Sequence, residues 1–303
     1  MIHQEREIVN PTKMGTVALR LIGTTDIDGN GTSHEIADVD PIVLFDYAKF
    51  NSAMESEFRP HPHTGLTAMS FMPTRGSFNA WDSLNGDEDT CLHAGGLYYV
   101  HAGLPAFHYE HVSSECAVEA VDIEFIQLVW NATDEDSVET VVIQPEDIPV
   151  IKTENATVRV LAGELFGVQS VQPFTHRKIL YTYIQLNAGS SLELPVPTTM
   201  HGVVFPIEGN LEVNDVTINQ QQMMILGEQD HQLLISNTDK NNVARFIVAA
   251  GEPLNKPFCK LLGLGGFIIG ETEVELRNAM KEFTNQAEQL KTEIPDYFPK
   301  KYL

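Results

Sequence analysis

Short apolar runs, set apart by clusters of Gly, Pro, Asn and Asp, pattern the first 250 residues. Gly15 to Ile22, Ile42 to Phe45, Thr67 to Met72, Ala117 to Trp130 and Thr157 to Leu161 are rich in β-branched and aromatic residues. Such runs predict strands, and their number predicts an all-β sandwich or barrel. Asp28-Gly29-Asn30-Gly31 and Asn85-Gly86-Asp87 read as turns between strands. The polar stretch Asn131 to Val138, followed by Gln144-Pro145-Glu146-Asp147-Ile148-Pro149, predicts a connection between two domains. The strand pattern resumes from Thr157 to about Ala250. Then the period changes: Val274, Leu276, Met280, Phe283, Ala287 and Leu290 recur at helical spacing. Thr272, three residues before Glu275, supplies a capping box for that helix.

An internal repeat supports two domains. His61-Pro62-His63-Thr64-Gly65 aligns without a gap on Leu194-Pro195-Val196-Pro197-Thr198. Continuing, Phe71-Met72-Pro73 meets Val204-Phe205-Pro206, and Gly76 meets Gly209. The shared frame predicts one strand–turn–strand unit used twice.

Length and charge narrow the function. A chain of 303 residues fits two domains of ordinary size. Forty-two acidic against nineteen basic residues leave a net charge of −23, which disfavours direct binding to nucleic acid. Cys91, Cys116 and Cys259 are odd in number and form no C-x-x-C pair. They predict reduced thiols in a cytoplasmic protein. The N-terminal residues show no signal-peptide pattern, and no apolar run approaches membrane-spanning length.

The chemistry lies in two short spacings. Six of the eleven histidines fall between His61 and His111. Residues two apart on a strand share a face, so His61-Pro62-His63 and His108-Tyr109-Glu110 each present a pair of potential ligands. A polar loop would explain one such pair; two in strand-like segments favour metal. Three imidazoles and one carboxylate suit a divalent first-row ion and leave room for substrate. In the repeat, His61 and His63 meet Leu194 and Val196, which cannot bind a cation. The first barrel is therefore expected to hold metal and the second not, with His201 and His231 structural or supporting groups.

These motifs resemble the pirin family, bicupins of the cupin superfamily. Asp40-Pro41-Ile42-Val43-Leu44-Phe45-Asp46 is similar to the family's early D-P-F-L-x-x-D, and His61 to Gly65 to its H-P-H-x-G. Ala102-Gly103 through Glu110 resembles A-G-x-G-x-x-H-x-E, and Ala250-Gly251-Glu252-Pro253-Leu254 with Pro257 resembles A-G-E-P-L-x-x-P. The resemblance covers nearly the whole chain. It implies two tandem cupin (double-stranded β-helix, jelly-roll) barrels and a C-terminal helix: an N-terminal metal-binding barrel over 1–140, a C-terminal barrel without metal over 150–270, and the helix over 271–292. It also implies one divalent ion, Fe2+ first and Mn, Ni, Cu, Co or Zn as alternatives, held by His61, His63, His108 and Glu110.

Some pirins are similar to quercetin 2,3-dioxygenases, which open the central ring of a flavonol and release carbon monoxide. That likeness implies a small-molecule substrate, dioxygen as co-substrate, and Glu110 as catalytic base as well as ligand. Other pirins resemble redox-responsive regulators, which implies instead a protein partner, either an enzyme or a transcription regulator, and no enzymatic activity. Four positions depart from the family. Thr64 stands where pirins carry Arg, Leu66 and Thr67 where they carry Phe-Glu, and Pro105 where they carry Gly. His101 and His111 flank the proposed ligands, either as decoys in the motif alignment or as proton-handling residues near the metal.

Overall fold

The computed structural model describes residues 5–15, 18–26, 33–51, 60–84, 90–111, 122–133, 137–171, 178–263 and 266–293. Among them are β-strands throughout and one helix, Glu273–Glu293. The fold is all-β, as the alternation of apolar runs and turn residues predicts. The two turns expected at 28–31 and 85–87 lie outside the described residues.

Contacts divide the chain into two compact units. One comprises Met1–Tyr47 and Glu146–Leu254, the other Ala48–Pro145 and Asn255–Leu303. This division differs from the linear segments 1–140, 150–270 and 271–292, because each unit recruits a segment from the far end of the chain. In the first unit, strand Glu7–Val9 adds antiparallel to Met223–Ile225. Phe45 also packs edge-on against Phe205, with ring centroids 5.1 Å apart. In the second unit, the hairpin of Cys259–Gly263 and Gly266–Gly270 and the terminal helix join strands from residues 61–143. Which sheet edge a terminal strand completes is a matter of tertiary pairing, which local periodicity does not encode.

The repeat is visible in the pairing. In the second unit, a four-stranded sheet runs in the order Thr90–His93, Ser77–Asp82, Ala106–His111, His61–His63. In the first unit, the corresponding order is Val216–Ile218, Leu211–Val213, Gln232–Asn237, Ser191–Pro195. Gly76 and Gly209, aligned by the repeat, both adopt positive φ, +97° and +82°. The repeated glycine therefore marks the same turn in both copies.

The first unit's interior is apolar. Leu194 and Val196 are buried beside Val204, Leu233 and Phe246. His201 donates from Nδ1 to the main-chain oxygen of Asp40 at 3.0 Å, a structural hydrogen bond. Arg6 forms a two-pronged ion pair with Asp230, which also accepts from Asn214 Nδ2 and the Gly227 N–H.

The terminal helix keeps its expected cap. The Glu275 N–H donates to Thr272 Oγ1 at 3.3 Å. The Glu275 carboxylate accepts from the N–H of Glu271 rather than that of Thr272. Leu276 and Phe283 pack on Trp81, Phe107 and Ile268, whereas Val274 is 57% exposed and lies off the packed stripe. No helix among the described residues is long and apolar enough to cross a membrane.

One cysteine expectation is corrected. Cys91 is disulfide-bonded, while Cys259 is a free thiol. Sequence spacing does not decide pairing; approach of the two Cα atoms to about 4.4–6.8 Å does. The expectation of three reduced thiols fails at Cys91.

Candidate metal centre

Strand register builds the site. Ala106–His111 pairs antiparallel with His61–His63, so that His108 faces His61 and Ala106 faces His63. His61, His63 and His108 consequently share one face, His63 standing diagonally from His108. Their Nε2 atoms converge, with 2.7 Å from His63 to His108 and 2.9 Å from His108 to His61. His108 is fully buried and His63 nearly so, while His61 keeps 8% of its surface open and marks the solvent side.

A distant segment fixes the orientation of His63. Its Nδ1–H donates to the main-chain oxygen of Phe267 at 2.7 Å. The strand carrying Phe267 reaches the site because residue 65 is glycine. Gly65 has φ +67°, and a Cβ there would lie 2.2 Å from the oxygen of Ile269. The Ile269 N–H in turn donates to the oxygen of Thr64 at 3.0 Å. The glycine of the H-P-H-x-G motif thus leaves space for the C-terminal hairpin.

Electrostatics keep His63 and His108 neutral. Burial, reinforced by the neighbouring His61, pushes His63 down to about 3. Burial and the two other histidines hold His108 well below its ordinary value. With His63 neutral and its proton on Nδ1, its Nε2 presents a lone pair to the cluster. His108 Nε2 has one in-plane valence, and a single proton there cannot lie on the lines to both neighbours. A cation among the three nitrogens would satisfy all of them at once, so the residues present fit a metal ion.

Glu110 is placed differently from the expectation. The three histidines form a group whose ligand atoms lie within 4.8 Å of one another, and Glu110 is not part of it. Its Oε1 accepts from Ser70 Oγ at 2.7 Å, and its Oε2 lies 3.5 Å from His108 Nδ1, the nitrogen turned away from the triad. Burial raises the Glu110 carboxyl to about 7, with the Ser70 hydrogen bond opposing. Tyr98 lines the same interior. It faces Ser70 across the strand pair, and its ring lies 5.8 Å from that of His108. Burial, then the charges of Asp82 and Glu110, hold its hydroxyl well above its ordinary value.

His101 is not part of the triad. Its Nδ1 lies 2.8 Å from Thr67 Oγ1, at the position where pirins carry Glu, and its ring stacks on Tyr99. His111 pairs with Asn79 in the strand ladder. Sequence reasoning missed Ser70, Tyr98 and Phe267. Strand alternation hinted at the first two, but no motif marks a main-chain oxygen.

A β-barrel with three convergent histidines, paired in the chain with a second barrel of the same strand order, defines a cupin of the two-barrel class. The pirin C-terminal cupin domain matches residues 181–288. A pirin-like protein of Solanum lycopersicum is 25% identical over 259 residues, covering 82% of each chain. Over residues 181–288 the chain thus carries a pirin C-terminal cupin domain, and over most of its length it is similar to pirin-like proteins. Its fold is similar to a crystal structure of quercetin 2,3-dioxygenase from Acinetobacter baumannii, with TM-score 0.75, 23% identity, and 92% of this chain and 96% of that chain covered. It is also similar to a bacterial pirin from Escherichia coli in complex with nickel(II), with TM-score 0.59, 11% identity, and coverage of 82% and 100%.

Proposed function

We propose that this protein is a metal-dependent dioxygenase acting on a flavonol-like or other chelating oxygenated small molecule, with dioxygen as co-substrate. The convergence of three imidazole Nε2 atoms carries the reading. His61, His63 and His108 would hold one divalent ion, Fe2+ before Mn, Ni, Cu, Co or Zn. When bound, such an ion supplies Lewis acidity toward a phenolate or enolate oxygen and the redox capacity that dioxygen chemistry needs.

The protein's own residues supply the surroundings. Three imidazole ligands add no charge, so the centre stays positive, which favours an oxygen anion over a cationic substrate. The donation from His63 Nδ1 to Phe267 keeps the proton off Nε2 and fixes the ring plane. Of the three imidazoles His61 keeps the most exposure, 8%, so substrate would approach from its side. The name of the Acinetobacter baumannii neighbour supports the dioxygenase reading, and the nickel(II) of the Escherichia coli neighbour supports a metal at this centre.

Protein loaded with one equivalent of iron and incubated with quercetin in air should bleach the flavonol absorbance and release carbon monoxide. Full metal content with no bleaching of quercetin or of related chelating phenols would refute the proposal.

A further inference from the structure

We infer that the barrel without the histidine triad carries a binding site of its own, at the end of strand Ser191–Pro195, for a small aromatic ammonium compound. The inference does not depend on the metal or the reaction assigned to the other barrel.

Register shows what replaces the triad. Pro195 pairs with Gln232 and Leu194 with Leu233, as Pro62 pairs with Phe107 and His61 with His108. The places of His61, His63 and His108 are therefore taken by Leu194, Val196 and Leu233, all buried. These aliphatic side chains fill the interior and leave an open cavity of about 270 Å³ at its rim. Leu165 and Val196 give the cavity an apolar lining, with Pro195 and Pro197 beside them. A cavity of ~150 Å³ takes up benzene, so this one admits a ring with a short side chain.

Two features of the rim define the occupant's chemistry. The first is Phe166. Leu165 pairs with Val168, which leaves Phe166 and Gly167 as a two-residue turn with φ +51° and +75°. Such turns favour Asn-Gly or Asp-Gly, because both residues sit in the left-handed region. Another turn of this unit, Asn214-Asp215, has residues of that kind at φ +46° and +65°. Among the described residues Phe166 is the only apolar non-glycine residue at positive φ, and it is 50% exposed. Neither backbone conformation nor core packing favours phenylalanine there; contact between its ring and a ligand does. The second feature is charge. Glu164 is the only acidic side chain on the cavity, and no lysine or arginine lines it. A carboxylate beside an aromatic ring attracts an ammonium group and repels an anion. Thr198 and His231 add hydrogen-bonding groups.

The walls are fixed in advance. The Val196 N–H donates to the oxygen of His231 at 2.9 Å, and the adjacent Asp230 is held by Arg6, Asn214 and the Gly227 N–H. Gly163, at the base of the Phe166 hairpin, has φ +80°, and a Cβ there would lie 1.8 Å from the oxygen of Ile179. The hairpin thus sits directly on strand Ile179–Leu186. A pre-formed site spares the ligand the cost of ordering its walls.

The test is calorimetric titration of the full-length metal-loaded protein with phenethylammonium chloride, with sodium phenylacetate as the anionic counterpart. The ammonium probe should bind one equivalent, and phenylacetate several-fold more weakly. Glu164→Gln should weaken binding of the ammonium probe roughly 2–5-fold. Phe166→Asn should weaken it roughly 2–5-fold as well, and should raise the melting temperature, because asparagine tolerates the left-handed conformation. Thr198→Trp, which fills the cavity from its rim, should abolish binding while the melting temperature is kept. His108→Ala, which dismantles the metal centre, should bind the probe as tightly as the parent. No binding at millimolar probe, equal affinity for phenylacetate, or unchanged affinity in Thr198→Trp would overturn the inference. Loss of binding in His108→Ala would overturn it too, by putting the probe at the histidine centre. Quercetin turnover enters none of these outcomes.

Discussion

His63 is tied to Phe267, 204 residues further along the chain, by a 2.7 Å hydrogen bond from its ring to a main-chain oxygen. The C-terminal hairpin therefore takes part in the candidate site although none of its side chains is a ligand. It fixes which nitrogen of His63 carries the proton, and hence which one is available to a cation.

That dependence makes Gly65 critical. In Gly65→Ala the new methyl group would meet the Ile269 oxygen, at a φ that L residues rarely adopt. The backbone conformation alone costs roughly 1–3 kcal/mol. Thermal denaturation should show a large loss of stability, and metal content should fall with it, because the hairpin cannot keep its place over His63. Full metal retention in a folded Gly65→Ala protein would contradict this account.

The helix supports the site from the opposite face. Phe107 points away from His108 and meets Phe283 edge-on, with centroids 5.5 Å apart at 90°. Phe283 is fully buried among Trp81, Phe107, Ile268 and Leu276. Phe283→Ala is expected to cost about 3–5 kcal/mol in denaturant unfolding. Phe283→Leu, which retains most of the volume, should recover the larger part.

Asp230 gives the first unit an acid-sensitive clasp. Burial alone would raise its carboxyl, but Arg6, the Gly227 N–H and Asn214 outweigh burial and hold it below its ordinary value. A carboxyl depressed in the folded state contributes stability that is present above its unfolded value near 3.8 and is lost as pH falls through the folded value. Arg6→Ala should lower stability by about 1.5–3 kcal/mol near neutral pH. The difference between mutant and parent should shrink below pH 4, read as converging melting temperatures. A pH-independent difference would assign Arg6 a packing role only.

The two barrels should respond differently to loss of histidine. His108→Ala removes the nitrogen in contact with both other members of the triad. Bound metal, measured by elemental analysis, is expected to fall from one equivalent to a small fraction. His201→Ala, which breaks only a hydrogen bond to Asp40, should keep the full equivalent. Equal metal content in the two variants would place the ion elsewhere.

Much of this was legible in the sequence, and for a definite reason. Strand alternation is local, so the spacing of His61 and His63, and of His108, was enough to put three imidazoles on shared faces. Turn residues and β-branched runs fixed the all-β class in the same way, and helical spacing with Thr272 and Glu275 located the terminal helix. Spacing also paired Glu110 with His108, but it says nothing of which edge of an imidazole a carboxylate approaches. That depends on side chains such as Ser70 and Tyr98, brought in by two other strands. The hold of Phe267 on His63 and the recruitment of end segments into each unit likewise arise between residues far apart in the chain. Local periodicity decides which way a side chain points. Only the folded arrangement of sheets decides what it meets.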